Sequence, residues 1–201
     1  YCSTGSFKNM KQNLKDYIKI HKVFPDKLCK EIIDSLDSSK EEIHTFYKPS
    51  QDKSFTLGND PYKCFIKEGE EGDSICRELM QCYRKVIYDY ITNLKFHWLI
   101  NWNGYSFPKI LKYNKDTKMN EHCDHIHHIF MDNGKARGIP FLSMITCLNN
   151  DYEGGEIKFC QKHTFRLKAG ETIVFPSNYL YPHIIKKVKK GVRYTMVSWV
   201  Y

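Results

Sequence analysis

The chain has 201 residues, 41% of them hydrophobic and 14% aromatic, so it can bury one sizeable core, and its length favours one domain over two. The aromatic content and a charged fraction of 27% exclude a disordered chain, and no stretch approaches the roughly eighteen consecutive apolar residues of a membrane-spanning helix. The net charge of +8 is mostly lysine, densest at Lys186, Lys187, Lys189 and Lys190, whereas arginine, which reads phosphate and bases, stands only at 77, 84, 137, 166 and 193; a solvated lysine face outweighs a nucleic-acid partner.

In chain order, Tyr17 to Phe24 alternates and carries β-formers, and Pro25-Asp26 opens a helix over Lys27 to Leu36, where Leu28, Ile32, Ile33 and Leu36 recur at helical spacing. From Pro49 to Gly72, Ser, Asp, Gly, Asn, Pro and Glu interrupt every apolar run. The stretch reads as a long loop with a brief strand around Lys63 to Ile66, and Phe55 and Tyr62 make it a candidate lid over an extended peptide. Ile75, Leu79, Cys82, Val86, Ile87, Tyr90, Ile91 and Leu94 form one apolar stripe, predicting a helix from about Asp73 to Asn93. After Trp102 the texture changes to short strands at Pro108–Tyr113, Asn120–His125, Pro140–Leu148, Glu156–Cys160, Thr164–Leu167, Thr172–Phe175 and Val192–Val200, parted by turns such as Glu153-Gly154-Gly155 and Lys168-Ala169-Gly170. The expected class is α+β, mainly β. Residues 1–100 are the helical support and lid, and 101–201 the β core of the same domain.

The eight cysteines show no CxxC pair, which favours a reducing, cytoplasmic compartment, although a chain opening at Tyr1 leaves a removed leader open.

His122-Cys123-Asp124 puts an imidazole and a carboxylate two residues apart, on one face if the segment is a strand. An HxD alone is weak. About sixty residues on, Tyr181-Pro182-His183-Ile184-Ile185 offers a third ligand, and two histidines with one carboxylate leave open positions suited to non-haem iron(II). Arg193, ten residues beyond His183, lies in a strand where burial would require an anionic partner, such as the far carboxylate of a metal-chelating keto-acid.

These residues resemble the Fe(II)- and 2-oxoglutarate-dependent oxygenases of the prolyl 4-hydroxylase type. The likeness covers Tyr105 to Tyr201 and, more loosely, Tyr17 to Leu36. It rests on HxD at 122–124, His183 and Arg193, on Tyr113 nine residues before the first ligand, on Glu153-Gly154-Gly155-Glu156, on Gly170 to Pro176, and on Trp199. It implies a double-stranded β-helix of the jelly-roll or cupin type, with Fe(II) on His122, Asp124 and His183. It also implies 2-oxoglutarate on Arg193 with help from Tyr113, Ser143 near the co-substrate, and Trp199 as core or site wall. O2 is the oxidant and ascorbate a candidate reductant. His125, His127 and His128 read as supporting or surface residues. Cys160 and His163 form a CxxH without a second half-site, which reads as a strand cysteine and a turn histidine.

The resemblance favours hydroxylation of a peptidyl proline in a protein or peptide, with a free amino acid or other small metabolite as the alternative. A nucleic-acid demethylase fits less well, because that branch carries a second arginine where this chain has Trp199. A non-catalytic module on the same barrel would have no need of the ligands and Arg193 together.

Overall fold

The computed structural model describes residues 13–48, 53–56, 59–95, 102–124, 130–132 and 135–201. A 3-10 turn at Leu14–Tyr17 leads into β1 (Lys19–Lys22) and helix α1 (Asp26–Asp34). Then follow β2 (Glu42–Ile43), β3 (Phe46–Lys48), β4 (Lys53–Phe55), β5 (Tyr62–Cys64) and the long helix α2 (Glu70–Leu94). The second half holds β6 (Lys109–Tyr113), β7 (Met119–His122), β8 (Phe130–Asp132), β9 (Lys135–Gly138), β10 (Leu142–Cys147), β11 (Tyr152–Gly154) and β12 (Ile157–Phe159). It closes with β13 (His163–Phe165), β14 (Glu171–Pro176), β15 (His183–Ile185), β16 (Val188–Gly191) and β17 (Arg193–Val200).

All pairings are antiparallel. A seven-stranded major sheet runs β1-β14-β10-β17-β6-β5-β2, and a four-stranded minor sheet runs β13-β12-β15-β7. The pairs β11-β16, β3-β4 and β8-β9 are separate ladders. Two sheets with helices on the outer face of the larger one make the mainly β double-stranded β-helix that was expected.

Strand alternation divides the core in two. Leu142, Met144, Val174, Met196, Val200 and Ile110 turn outward to meet Leu28 and Ile32 of α1 and Leu79, Tyr83, Val86, Ile87 and Tyr90 of α2. Ile145, Cys147, Ile173, Phe175, Val197, Trp199, Leu111 and Tyr113 turn inward to meet Ile157, Phe159 and Ile185 of the minor sheet. Because β10 is covered on both faces, it is buried along its whole length and reads in sequence as an apolar run broken only by Ser143 and Thr146. On the helix side, Tyr83 rather than Cys82 is the wholly buried residue, and its hydroxyl accepts from Thr146, which also bonds Thr172. Burying a residue such as Leu79 or Ile87 contributes about 1.5–3 kcal/mol, so the α2 stripe is a principal anchor of the major sheet.

Within the stretch 49–72 the brief strand expected around Lys63 to Ile66 is found at Tyr62–Cys64, and the lid expectation needs correction there. Tyr62–Cys64 pairs with β6 and Ile66 bridges Leu36, while Asp37 N–H donates to the Phe65 carbonyl and Lys67 N–H to that of Ser35. Backbone polar groups paired into a sheet cannot swing as a lid, so the second half of this stretch is a fixed wall. Residues 49–52 and 57–58 lie outside the described residues. Among the described residues no helix is long and apolar enough to cross a membrane. The described cysteines are free thiols. Of the lysine run, Lys186, Lys187 and Lys190 reach Glu156, Asp116 and Glu153 at 3.9, 3.4 and 3.6 Å, which are surface pairs.

Candidate active site

His122 and His183 face each other across the β7–β15 ladder, as directly opposed residues beside an irregularity in the register. Their ring centroids lie 4.4 Å apart. The strand expected over Asn120–His125 ends at His122, and a bend after it carries Asp124 back toward the two rings. Asp124 Oδ1 is 3.5 Å from His122 Nε2 and 3.9 Å from His183 Nε2. One ligand atom from each of the three residues lies within 4.8 Å of the others, the one such group of histidine, cysteine or carboxylate side chains found among the described residues.

Ring orientation is set from behind. His122 Nδ1 bonds the Asn120 carbonyl at 2.8 Å and His183 Nδ1 the Tyr181 carbonyl at 3.1 Å. A carbonyl can only accept, so each Nδ1 carries a hydrogen and each Nε2 is the nitrogen aimed at the common point. Phe159 and Phe175 pack on His183 with centroids 5.3 and 4.9 Å away. Burial holds the His183 imidazole at about 4, against the opposing effect of Asp124, and therefore neutral. Burial alone would push Asp124 up, but His183, His122 and the Ser143 hydroxyl hold it well below the usual carboxylate range. Its Oδ2 is buried without a hydrogen-bond partner. A neutral imidazole, a second whose Nε2 proton a metal would displace, and an ionised carboxylate with an unused oxygen fit a divalent metal held on one face.

Arg193 opens β17 directly opposite Tyr113 at the end of β6. It is 1% exposed, yet Nε and Nη1 have no hydrogen-bond partner, and no carboxylate among the described residues lies within 4 Å of it. Its guanidinium stacks 4.9 Å from the Tyr113 ring and 6.0 Å from that of Tyr152. Beside it, Thr195 Oγ1 is also buried and unpartnered. A buried cation without a counter-charge is costly, and a planar carboxylate matches the vacant donors. Burial raises the Tyr113 phenol above its ordinary value, with Arg193 opposing, so it stays protonated as a donor.

The glycine motif at 153–156 gains a role here. Gly155 has φ +66°, and a Cβ at that position would fall 2.7 Å from Arg193 Cδ, so only glycine lets this backbone lie against the arginine stem. Arg166 spends its guanidinium on the Tyr152 and Gly154 carbonyls at 2.7 and 3.3 Å.

Ser143 is fully buried, bonds Ser177 at 2.7 Å and lies toward Asp124. Trp199, directly opposite Ser143 in the β10–β17 ladder, lines the inter-sheet interior. Cys160 and His163 flank a turn outside the metal group, with Cys160 Sγ donating to the Leu180 carbonyl. His125, His127 and His128 lie outside the described residues. Sequence reasoning missed Phe159, Phe175, Thr195 and the packing task of Gly155. Only the inward phase of β12, β14 and β17 could have pointed to the first three.

Residues 108–201 match the family model described as the 2OG-Fe(II) oxygenase superfamily. A PKHD-type hydroxylase of Prochlorococcus marinus strain MIT 9312 is 34% identical over 103 residues, covering 48% of this chain and 45% of the relative. One from Acaryochloris marina is 34% identical over 82 residues, covering 38% and 35%. The chain thus spans about half the length of the first of these relatives or less. In fold, a prolyl hydroxylase of Trichoplax adhaerens in complex with a hypoxia inducible factor peptide fragment aligns with TM-score 0.66 at 14% identity, over 92% of this chain and 83% of that one. A viral collagen prolyl hydroxylase from Paramecium Bursaria Chlorella virus-1, in its 2OG complex, aligns with TM-score 0.61 at 16% identity, over 92% and 94%. The chain is similar to the Fe(II)/2-oxoglutarate-dependent oxygenases of the prolyl 4-hydroxylase type, in sequence over its β core and in fold over most of its length.

Proposed function

We propose that the chain is an iron(II)- and 2-oxoglutarate-dependent dioxygenase that hydroxylates a C–H bond of a peptidyl proline. The observation that carries this reading is a pair of incomplete sites facing one interior: a metal-ligand triad with an unused carboxylate oxygen, and a buried guanidinium without an anion. When bound, iron and 2-oxoglutarate supply the oxidation, with decarboxylation of the co-substrate to succinate and CO2.

The chain's own residues bind and position. His122, Asp124 and His183 would hold the metal on one face and leave the other open. Arg193 would take the far carboxylate of 2-oxoglutarate through its fork, with the Tyr113 hydroxyl donating to the same group, and Gly155 keeps the arginine stem in place. Phe159, Phe175 and Trp199 exclude water from the space between the sheets, which strengthens each charge-assisted bond there. The proline assignment is supported by the relatives and fold neighbours, and no residue of this chain carries it alone.

The purified protein should convert 2-oxoglutarate to succinate only with Fe(II) and O2, and a proline-containing peptide should gain the mass of one oxygen. Absence of succinate under those conditions would remove the enzymatic reading. Succinate without peptide oxidation, but with oxidation of a free amino acid, would move the substrate to the small-molecule alternative.

A further inference from the structure

One cation near the triad is unused by the chemistry above. Lys109 begins β6 on its inward phase, shared with Leu111 and Tyr113, and lies directly opposite Val197 in the β6–β17 ladder. It sits at the far end of that ladder from Arg193 and Tyr113, about 13 Å away at the rise of an extended strand. Its Nζ rests 5.1 Å over the Trp199 ring. Its side chain reaches solvent, and no carboxylate among the described residues lies within 4 Å of it. The neighbouring Lys63 differs, being paired with Glu42 at 3.5 Å and stacked on Phe65 at 4.3 Å.

The charged groups acting on Lys109 are Lys63, itself paired with Glu42, and the metal-ligating carboxylate of Asp124. Desolvation and the nearby Lys63 lower the Lys109 ammonium below its ordinary value, while Asp124 acts in the opposite sense. Burial holds His44 at about 4, and Lys109, His122 and Lys63 push it the same way. Lys109, Lys63, His44 and His122 therefore share one neighbourhood. Asp124 also acts on Tyr113 at the other end of the ladder, so its charge is felt at both ends of the β6 inward face. Once a metal neutralises Asp124, nothing described offsets the lysine.

We propose that Lys109, seated on Trp199 at the end of the interior away from Arg193, is a specificity-determining residue that receives a carboxylate of the substrate. The substrate is then a peptide with an acidic side chain beside the residue that is oxidised. This rests on the dioxygenase reading and narrows its substrate class. The ammonium already lies over the indole, which limits the rotamer freedom lost when it meets its partner. A solvent-reached pair of this kind is modest and sensitive to salt.

The test uses the whole chain loaded with Mn(II) and 2-oxoglutarate, which binds without turnover, and fluorescent peptides differing at one position: Glu, Gln or Lys on either side of a central proline. Binding is read by anisotropy. For the native chain the Glu peptide should bind roughly fivefold more tightly than the Gln peptide, and the Lys peptide more weakly still, with the spread shrinking at high salt. Lys109→Met should erase the preference and Lys109→Glu should reverse it, while 2-oxoglutarate binds both variants as it binds the native chain. Reversal by Lys109→Glu is the outcome that a purely structural lysine would not produce. Equal binding of all three peptides, with proline still oxidised by the Fe(II) form, would overturn the role of Lys109 and leave the dioxygenase reading standing. A fall in 2-oxoglutarate affinity with unchanged peptide preference would reassign Lys109 to the co-substrate and overturn the proposal. If no peptide is bound or oxidised, the peptidyl reading and this one fall together.

Discussion

Replacing Arg193 should separate co-substrate binding from metal binding. The guanidinium is almost wholly buried, and two of its donor nitrogens face no acceptor. A carboxylate docked there would form paired charge-assisted hydrogen bonds, each worth about 1.5–3 kcal/mol. Truncating one partner of a buried pair costs about 2–5 kcal/mol. At about 1.4 kcal/mol per tenfold, Arg193→Ala should raise the Kd for 2-oxoglutarate at least about thirtyfold. Equilibrium dialysis of labelled 2-oxoglutarate against the Mn(II)-loaded protein measures this directly. Mn(II) affinity should hardly move, because the three ligands stand on β7, the bend after it and β15. Arg193→Lys should recover part of the loss, since charge returns without the planar fork. Arg193→Met controls for folding. It keeps an unbranched stem and removes a buried charge that lacks a counter-ion, so the ligand-free variant should melt no lower than the native chain. Adding 2-oxoglutarate should no longer raise its melting temperature. If Arg193→Met bound 2-oxoglutarate normally, or lost metal and co-substrate together while still folded, the guanidinium would not be the anchor.

Three further outcomes follow from the same geometry. Asp124→Ala should abolish stoichiometric Fe(II) binding and succinate formation while the cooperative melt persists; near-native turnover in that variant would remove the carboxylate from the triad. Gly155→Ala places a methyl 2.7 Å from Arg193 Cδ at φ +66°, so it should cost about 1–3 kcal/mol in urea unfolding and weaken 2-oxoglutarate more than Mn(II); equal weakening of both would argue for general disruption instead. Metal-free protein should lose stability as pH falls from 6.5 toward 4. In that window His183, held near 4, binds fewer protons folded than unfolded, and His44 acts in the same direction. The His183 share is on the order of 3 kcal/mol. His122, raised by Asp124 against the pull of burial, contributes oppositely, with stability present below 6.5 and lost as pH rises through its folded value. His183→Gln should flatten the fall between those limits, and an unchanged slope would show that burial of this ring is not its source.

Much of the site could be read in the sequence because its parts lie at strand ends, where spacing along the chain maps onto geometry. His122 and Asp124 are two residues apart at the end of β7, and Arg193 opens the strand that follows β16. The helices were legible from their stripes: Asp73–Asn93 was expected and Glu70–Leu94 is found, Lys27–Leu36 was expected and Asp26–Asp34 is found. Strands whose partner is remote were less so. Tyr62–Cys64, expected only as a brief strand around Lys63 to Ile66 inside a loop, is fixed in the major sheet because β6 offers it an edge. Val188–Gly191 is mostly exposed lysine and glycine, a strand only because β11 lies beside it. Lys109 and Gly155 show the same limit for side chains. Their neighbours, Trp199 and Arg193, lie far along the chain, and only the packing of the strands and turns brings them together.

The two faces of the major sheet also divide the work of stability and function. On the helix-facing side the polar groups of Tyr83, Thr146 and Thr172 form a closed network, Ser198 donates to the Ser106 carbonyl, and most of the remainder is aliphatic and aromatic packing. On the inward side Asp124 Oδ2, Arg193 Nε and Nη1 and Thr195 Oγ1 are buried and unsatisfied. Each such atom costs about 1–3 kcal/mol, more when charged, and the same strands carry both faces. The outward face of β17, with Met196 and Val200 against the helix layer, thus offsets the cost that Arg193 and Thr195 impose on its inward face. Ligands that satisfy those atoms should therefore stabilise the whole domain and not the site alone, because β17 lies at the centre of the major sheet, between β10 and β6. Arg193 and Thr195 share a central strand with the core and should stay formed when empty, whereas His122 and Asp124 stand on and just beyond β7, an edge of the minor sheet, and should gain most from a bound metal.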